Sequence, residues 1–173
     1  MYKIKKRVNI ERSTNDILEK HPVPVLGIDY KVKIIYRNIK VPEVYVEKTV
    51  IKISLPNKYR KDNNQYILDL AIDKMYEQIA KVEVERAMEK TRIMLGFAPE
   101  EYEIAKMKTL GTCKERKITI NPEIVKYNRK VIDYVVLHQY CHLKYKTHSK
   151  RFFEMLEKYQ PDYKKCEEIL LNI

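Results

Sequence analysis

The spacing of apolar positions along the chain changes near residue 60. Before it the period is close to two. In Asp29 to Tyr36 the residues Tyr30, Val32, Ile34 and Tyr36 recur at every second place, and in Thr49 to Leu55 so do Ile51, Ile53 and Leu55, the pattern of strands in a twisted sheet or hairpin. From Asp62 the period lengthens to that of a helix. Asp62, Asn63 or Asn64 can cap it, Ile67, Leu70, Ala71, Met75, Ile79, Val82 and Met88 make its inner face, and Gly96 ends it. At 3.6 residues per turn this is a helix of roughly eight or nine turns, its Met and aliphatic stripe serving core packing.

After Phe97-Ala98-Pro99 the pattern shortens again. Tyr102 to Met107 and Lys117 to Ile120 read as short strands around a turn containing Gly111. A second helix is expected over about Lys130 to Tyr145 and a third from near Ser149 until Pro161 breaks it, with PDYKKCEEILLN adding a short terminal helix. No repeat or low-complexity stretch interrupts this order. With 173 residues and an apolar fraction of 45%, the expectation is one α+β domain over 1–173, β-rich through residue 60 and carrying its core from 61 to 173.

Charge adds a partner class. Lys plus Arg exceed Asp plus Glu by 35 to 24, a net charge of +11, which suits DNA, RNA or another acidic partner and equally suits basic residues spread over a solvated surface. Cys113, Cys141 and Cys166 form no C-x-x-C pair, so neither a disulfide framework nor a thiolate zinc site is suggested, and a reducing compartment fits. The N-terminal MYKIKKRVNIERS lacks an apolar signal segment, and the uncharged apolar run Tyr134 to Leu137 is too short to span a bilayer. A cytoplasmic protein with no membrane partner is expected.

Three of the four histidines, His138, His142 and His148, fall within one short stretch. Residues four apart on a helix stand one above the other, so the first two imidazoles can converge on one metal. A catalytic zinc takes three protein ligands and keeps a fourth position for water, and His148, just past the helix end, can curl back as the third. An isolated histidine pair is more often ordinary surface or core chemistry; the third histidine and the apolar Val131 to Leu137 ahead of the pair favour zinc. Glu154 or Glu157 is an alternative third ligand. Tyr140 and Tyr145 flank the ligands as possible oxyanion stabilisers, although in a chain with 14 tyrosines most such residues simply pack. Cys141, three places after His138 and one before His142, should point partly away from the metal; His21 reads as an ordinary surface residue, and Asn121 as a cap for the turn that follows it.

The stretch LGTCKERKITINPEIVKYNRKVIDYVVLHQYCHLKYKTHSKRFFEMLEKYQPDYKKC resembles the YgjP-like family of metal-dependent hydrolases. The likeness covers about Tyr102 to Leu170 and is carried by H-x-x-C-H-L-x-x-x-x-H-S-x-x-F, here His138 to Phe152. Residues 1–60 match loosely, through Gly27-x-x-Tyr30, and Leu110-Gly111-Thr112-Cys113 stands where the family reads W-G-S-C. The family is related to the SprT-like and WLM-type zinc peptidases. The resemblance implies a zincin-like fold in which an edge strand above the active-site helix accepts an extended peptide, with Lys117 to Ile120 matching that strand. It implies a zinc metallopeptidase acting on protein or peptide.

At residue 139 the family has Glu and this chain has Gln. That Glu accepts a proton from the attacking water and later delivers it to the leaving amine, whereas the Gln amide takes up no proton at neutral pH. The change is either natural, in a lineage that kept the metal, or introduced deliberately to trap an inactive form. The expectation is zinc binding on His138, His142 and His148 with little or no turnover. Two other readings stay open: a non-catalytic zinc-stabilised module that binds nucleic acid or DNA-bound protein, and a zinc hydrolase of non-peptide amides.

Overall fold

The structure is a computed structural model that describes residues 22–60 and 65–171. His21 and the expected capping residues Asp62, Asn63 and Asn64 lie outside the described residues. The architecture is α+β, with strands β1 (Val23–Val25), β2 (Ile28–Arg37), β3 (Glu43–Glu47) and β4 (Val50–Pro56), a long helix α1 (Gln65–Leu95), strands β5 (Glu101–Ile104), β6 (Gly111–Lys114) and β7 (Lys117–Ile120), and helices α2 (Arg129–Lys144), α3 (Lys150–Tyr159) and α4 (Tyr163–Leu171). The described residues divide into two compact units: one holds residues 22–24, 28–60 and 65–75, and the other holds Val25–Gly27 and residues 76–171. Among the described residues no helix is long and apolar enough to cross a membrane.

The first sheet has the order β1-β2-β4-β3. The alternation seen in sequence is realised in register: Val32 lies beside Ile51, Ile34 beside Ile53 and Tyr36 beside Leu55, on parallel strands. These two runs are therefore neighbours in a sheet and not the arms of one hairpin. The hairpin partner of β4 is β3, which pairs with it antiparallel; its Val44 is half-buried and its other residues are exposed, so it carries no alternating core signature.

Helix α1 ends where Gly96 adopts φ +73 and its N–H bonds the Arg92 carbonyl, the left-handed cap expected there. Its inner face needs correction. The buried positions are Leu68, Ala71 and Met75 in the first unit, and Tyr76, Ala80, Glu83, Val84, Ala87, Met88 and Thr91 in the second, while Leu70 and Val82 are each 45% exposed. Much of the stripe is made of alanines, which allow close approach, and it includes a carboxylate. Of the expected face, Ala71, Met75 and Met88 are buried and Ile67 and Ile79 half-buried, so the misplaced positions are Leu70 and Val82.

The second unit is built around α2. Asn128 caps it, its side chain accepting from the Val131 N–H, and burial on nearly every side from Val131 to Cys141 makes it the central element. The sheet order is β5-β7-β6, with β5 parallel and β6 antiparallel to β7. Two expectations are corrected here. Lys117 to Ile120 is the central strand, not the edge, and Gly111 opens a strand instead of sitting in a turn. The edge strand lying against α2 is β6. The β6–β7 hairpin turns on Glu115 and Arg116 at φ +48 and +65, a geometry usually given to Asn-Gly, so no turn residue announces it. Asn121 caps the following turn as expected, accepting from the Glu123 N–H while its own amide donates to the Met107 carbonyl.

A charge network fixes α2 to the second-unit part of α1. The Glu83 carboxylate, 1% exposed, receives two bonds from the Arg129 guanidinium at 2.7 and 2.9 Å and one from Arg86 at 3.0 Å. Arg86 also reaches Asp133 at 2.7 Å, and Lys90 meets the other Asp133 oxygen at 2.6 Å. The Arg129 guanidinium, with Arg86, holds the Glu83 carboxyl below the usual carboxylate range. A buried carboxylate with this many donors orients a helix at little net electrostatic gain, since desolvation offsets most of the attraction.

Candidate metal centre

Helix α2 presents His138 and His142 one turn apart, and the segment after it returns His148 to the same point. The Nε2 atoms of His138 and His142 stand 3.2 Å apart, and those of His138 and His148 stand 3.0 Å apart. Two nitrogens bound at about 2.0 to 2.1 Å to one tetrahedral ion would be roughly 3.3 to 3.4 Å from each other, so this spacing suits zinc ligation. Among the described residues these three form a group able to hold a metal ion. Glu154 and Glu157 are not part of it; the Glu154 carboxylate faces the Lys150 ammonium at 3.8 Å.

The opposite edges of the first two rings are also held. The Nδ1 of His142 lies 3.1 Å from the Tyr145 main-chain carbonyl, and the Nδ1 of His138 lies 3.3 Å from the Tyr134 hydroxyl. That hydroxyl donates to the Glu167 carboxylate on α4 at 2.9 Å, so its oxygen is left to accept from the imidazole. Both networks place the ring proton on Nδ1 and leave the Nε2 lone pair facing its neighbours, the tautomer a metal requires. Burial, with the adjacent His142 and His148, pushes the His138 pKa down to about 4, and burial lowers His142 as well, so the rings are neutral donors at neutral pH.

Phe152 completes the arrangement. Its ring is fully buried, with its centroid 4.9 Å from that of His138, 4.8 Å from His142 and 4.7 Å from His148. Ser149 caps α3, its hydroxyl oxygen 3.4 Å from the Phe152 N–H, which begins the helix immediately after the third histidine. One aromatic side chain thus serves as the wall for all three imidazoles.

Gln139, next to His138, is 6% exposed and lies under β6. A Cβ at Gly111 would stand 3.2 Å from both Cγ and Nε2 of Gln139, so the glycine lets the edge strand approach this side chain. Tyr140 is turned away from the imidazoles, as a residue two places from each histidine on a helix must be. Its hydroxyl donates to the Met88 carbonyl at 3.2 Å, its ring meets Phe97, and burial pushes its pKa up to about 12. Tyr145 meets His142 through its main chain. Cys141 is buried with its thiol pushed up to about 12 by burial, a packing residue kept protonated.

Tyr134, Phe152 and Glu167 were not singled out from sequence as site residues. Tyr134 carries a signal, since it precedes His138 by one helical turn and so stacks on its face of α2. Phe152 is the last letter of the H-x-x-C-H-L-x-x-x-x-H-S-x-x-F pattern, which by itself gives it no role. Glu167 carries none, because α4 reaches His138 only through tertiary packing.

A family model described as YgjP-like, metallopeptidase domain, matches residues 2–172. No curated protein matches the chain. Among solved structures, the chain is similar to the metallopeptidase zymogen abylysin of Pyrococcus abyssi, with 25% identity, a TM-score of 0.47, and coverage of 51% of this chain and 92% of that one. It is also similar to the metallopeptidase zymogen jannalysin of Methanocaldococcus jannaschii, with 14% identity, a TM-score of 0.45, and coverage of 52% and 88%.

Proposed function

The chain belongs to the YgjP-like family of metallopeptidase domains, and from that premise we propose that it binds one zinc ion on His138, His142 and His148 in a site built for peptide-bond hydrolysis, with turnover held low by Gln139. The observation that carries the reading is the convergence of three Nε2 atoms, two of them on rings whose Nδ1 edges are already engaged. Bound there, zinc would acidify a water molecule and polarise a scissile carbonyl.

The residues around it divide the remaining work. His138 and His142 are rigid because α2 is buried and anchored by the Glu83 network. Tyr134 and the Tyr145 carbonyl hold their rings in the ligating tautomer. Strand β6, at the sheet edge beside α2, offers main-chain groups with which an extended peptide can pair. Gln139, under that strand, would hydrogen-bond the attacking water, but it can neither accept its proton nor pass one to the leaving amine. A non-catalytic role gains support from the same residue, since the metal-binding residues are complete and the base is missing.

The metal arm is tested by equilibrium dialysis. One zinc per chain is expected, and His142→Ala should abolish stoichiometric binding at micromolar zinc; binding that survives this substitution, with the fold intact, would move the site elsewhere. The ring-holding contact is tested separately with Tyr134→Phe, which keeps the ring and removes the hydroxyl. Zinc affinity, read by competition with a chromophoric chelator, should fall about 10- to 100-fold. Unchanged affinity in a folded Tyr134→Phe protein would reduce the Glu167–Tyr134–His138 chain of contacts to packing.

A further inference from the structure

A cleft of about 480 Å³ opens in the second unit, lined by the end of α1 and the segment after it (Leu95, Phe97), the end of α2 (Lys144, Tyr145) and one side of α3 (Arg151, Lys158, Tyr159 among others). None of the three histidines lines it; its link to them is Tyr145, whose main-chain carbonyl meets the His142 ring. We propose that this cleft binds a nucleotide unit, phosphate on the cations and base on the aromatic rings, as part of single-stranded nucleic acid.

The lining is unbalanced in charge. It holds Lys144, Arg151 and Lys158 against one carboxylate, Glu154, whose ion-pair partner is Lys150, a residue that does not line the cleft. Lys144 and Lys158 lie over aromatic rings, 4.4 Å from the Phe97 centroid and 5.2 Å from that of Tyr159. No carboxylate pairs with Lys144, Arg151 or Lys158 among the described residues. Three cations with their hydrogen-bonding capacity unspent, in a concavity, recognise an anion of more than one charge.

The rings narrow the class. Phe97, Tyr145 and Tyr159 are half-buried in the wall, held in place yet partly open. An acidic peptide would use the cations and gain little from the rings. A nucleotide uses both, because a base offers a planar face for stacking while its phosphates meet the cations. The volume matches one or two such units and not a folded partner. The net charge of +11 adds long-range attraction for a polyanion over a neutral ligand.

This inference does not rest on the peptidase reading, and its test keeps them apart. The zinc-loaded 173-residue chain is titrated into fluorescently labelled single-stranded DNA and RNA, and anisotropy is followed at several salt concentrations. Binding is expected, with affinity falling as salt rises. The variant Lys144→Glu/Arg151→Glu/Lys158→Glu should bind at least tenfold more weakly, with a salt slope lower by about one, as expected for one or two lost phosphate contacts on a single strand. Tyr159→Ala should weaken binding without changing the slope, which a purely electrostatic surface would not show. Charge reversal at two exposed lysines away from the cleft, Lys81→Glu/Lys108→Glu, should matter little. Equal loss from these reversals, or competition by polyglutamate as effective as by unlabelled strand, overturns the proposal. Competition by adenosine monophosphate at concentrations near those of the strand assigns the cleft to free nucleotide, which overturns the strand and keeps the chemistry. Zinc content, measured in parallel, should be unchanged in all three variants.

Discussion

The zinc-loaded Gln139→Glu protein is expected to cleave unstructured polypeptides about 10² to 10⁴ times faster than the unsubstituted chain, the range associated with one well-placed general base. The substitution replaces an amide nitrogen by oxygen and changes almost nothing in size, so the close fit of Gln139 beneath Gly111 should be retained. What changes is the capacity of the side chain to take a proton from water and return it to the amine nitrogen as the peptide bond breaks. Gln139→Ala should remain as inactive as the parent, because it supplies space and no base. The readouts are fragment release from an unstructured protein, with and without chelator, and zinc content measured on the same samples. If Gln139→Glu holds one zinc and cleaves no polypeptide, the peptidase reading is wrong. If the same sample hydrolyses a small non-peptide amide, the amide-hydrolase alternative takes its place.

The contrast between binding and turnover explains which parts of the site were legible in sequence. Histidines at i, i+4 are read directly, because helix geometry converts that spacing into proximity without tertiary knowledge. His148 was legible because it follows α2 closely enough for a short loop to return it. The base position was legible only against a family pattern, as a Gln where Glu is the rule. Much of what supports the ligands was not. Glu167 and Glu83 act from other helices, and the inner face of α1 is only partly legible, because Ala80, Ala87 and the paired carboxylate of Glu83 carry no large-aliphatic signal. The strand beside α2 was misplaced for a local reason: Glu115 and Arg116 turn the β6–β7 hairpin with left-handed backbones that their side chains do not advertise. A strand of four residues opening on glycine then reads as a turn.

Phe152 joins stability to metal binding, and its loss is expected to damage both. The ring is fully buried and lies within 4.9 Å, centroid to centroid, of each of the three imidazoles. Phe152→Ala removes that wall and leaves a cavity bordered by polar rings, which should cost about 3 to 5 kcal/mol in the metal-free protein. Phe152→Leu, which refills part of the volume, should cost less. Zinc stabilises the folded state in proportion to the logarithm of its concentration over its dissociation constant. The gain in denaturation midpoint on adding zinc should therefore shrink in Phe152→Ala, as imidazoles without a common wall must be ordered by the ion itself. Urea unfolding of both variants and the parent, with and without zinc, separates the two effects. A loss below about 1 kcal/mol in the metal-free state, far under the usual range for a buried Phe→Ala change, together with an unchanged zinc increment would show that the three histidines are held from α2 and its neighbours alone. The expected result instead ties the first residues of α3 to the metal: the turn capped by Ser149 brings His148 and Phe152 to the same place, so folding of that turn and assembly of the ligand set become one event.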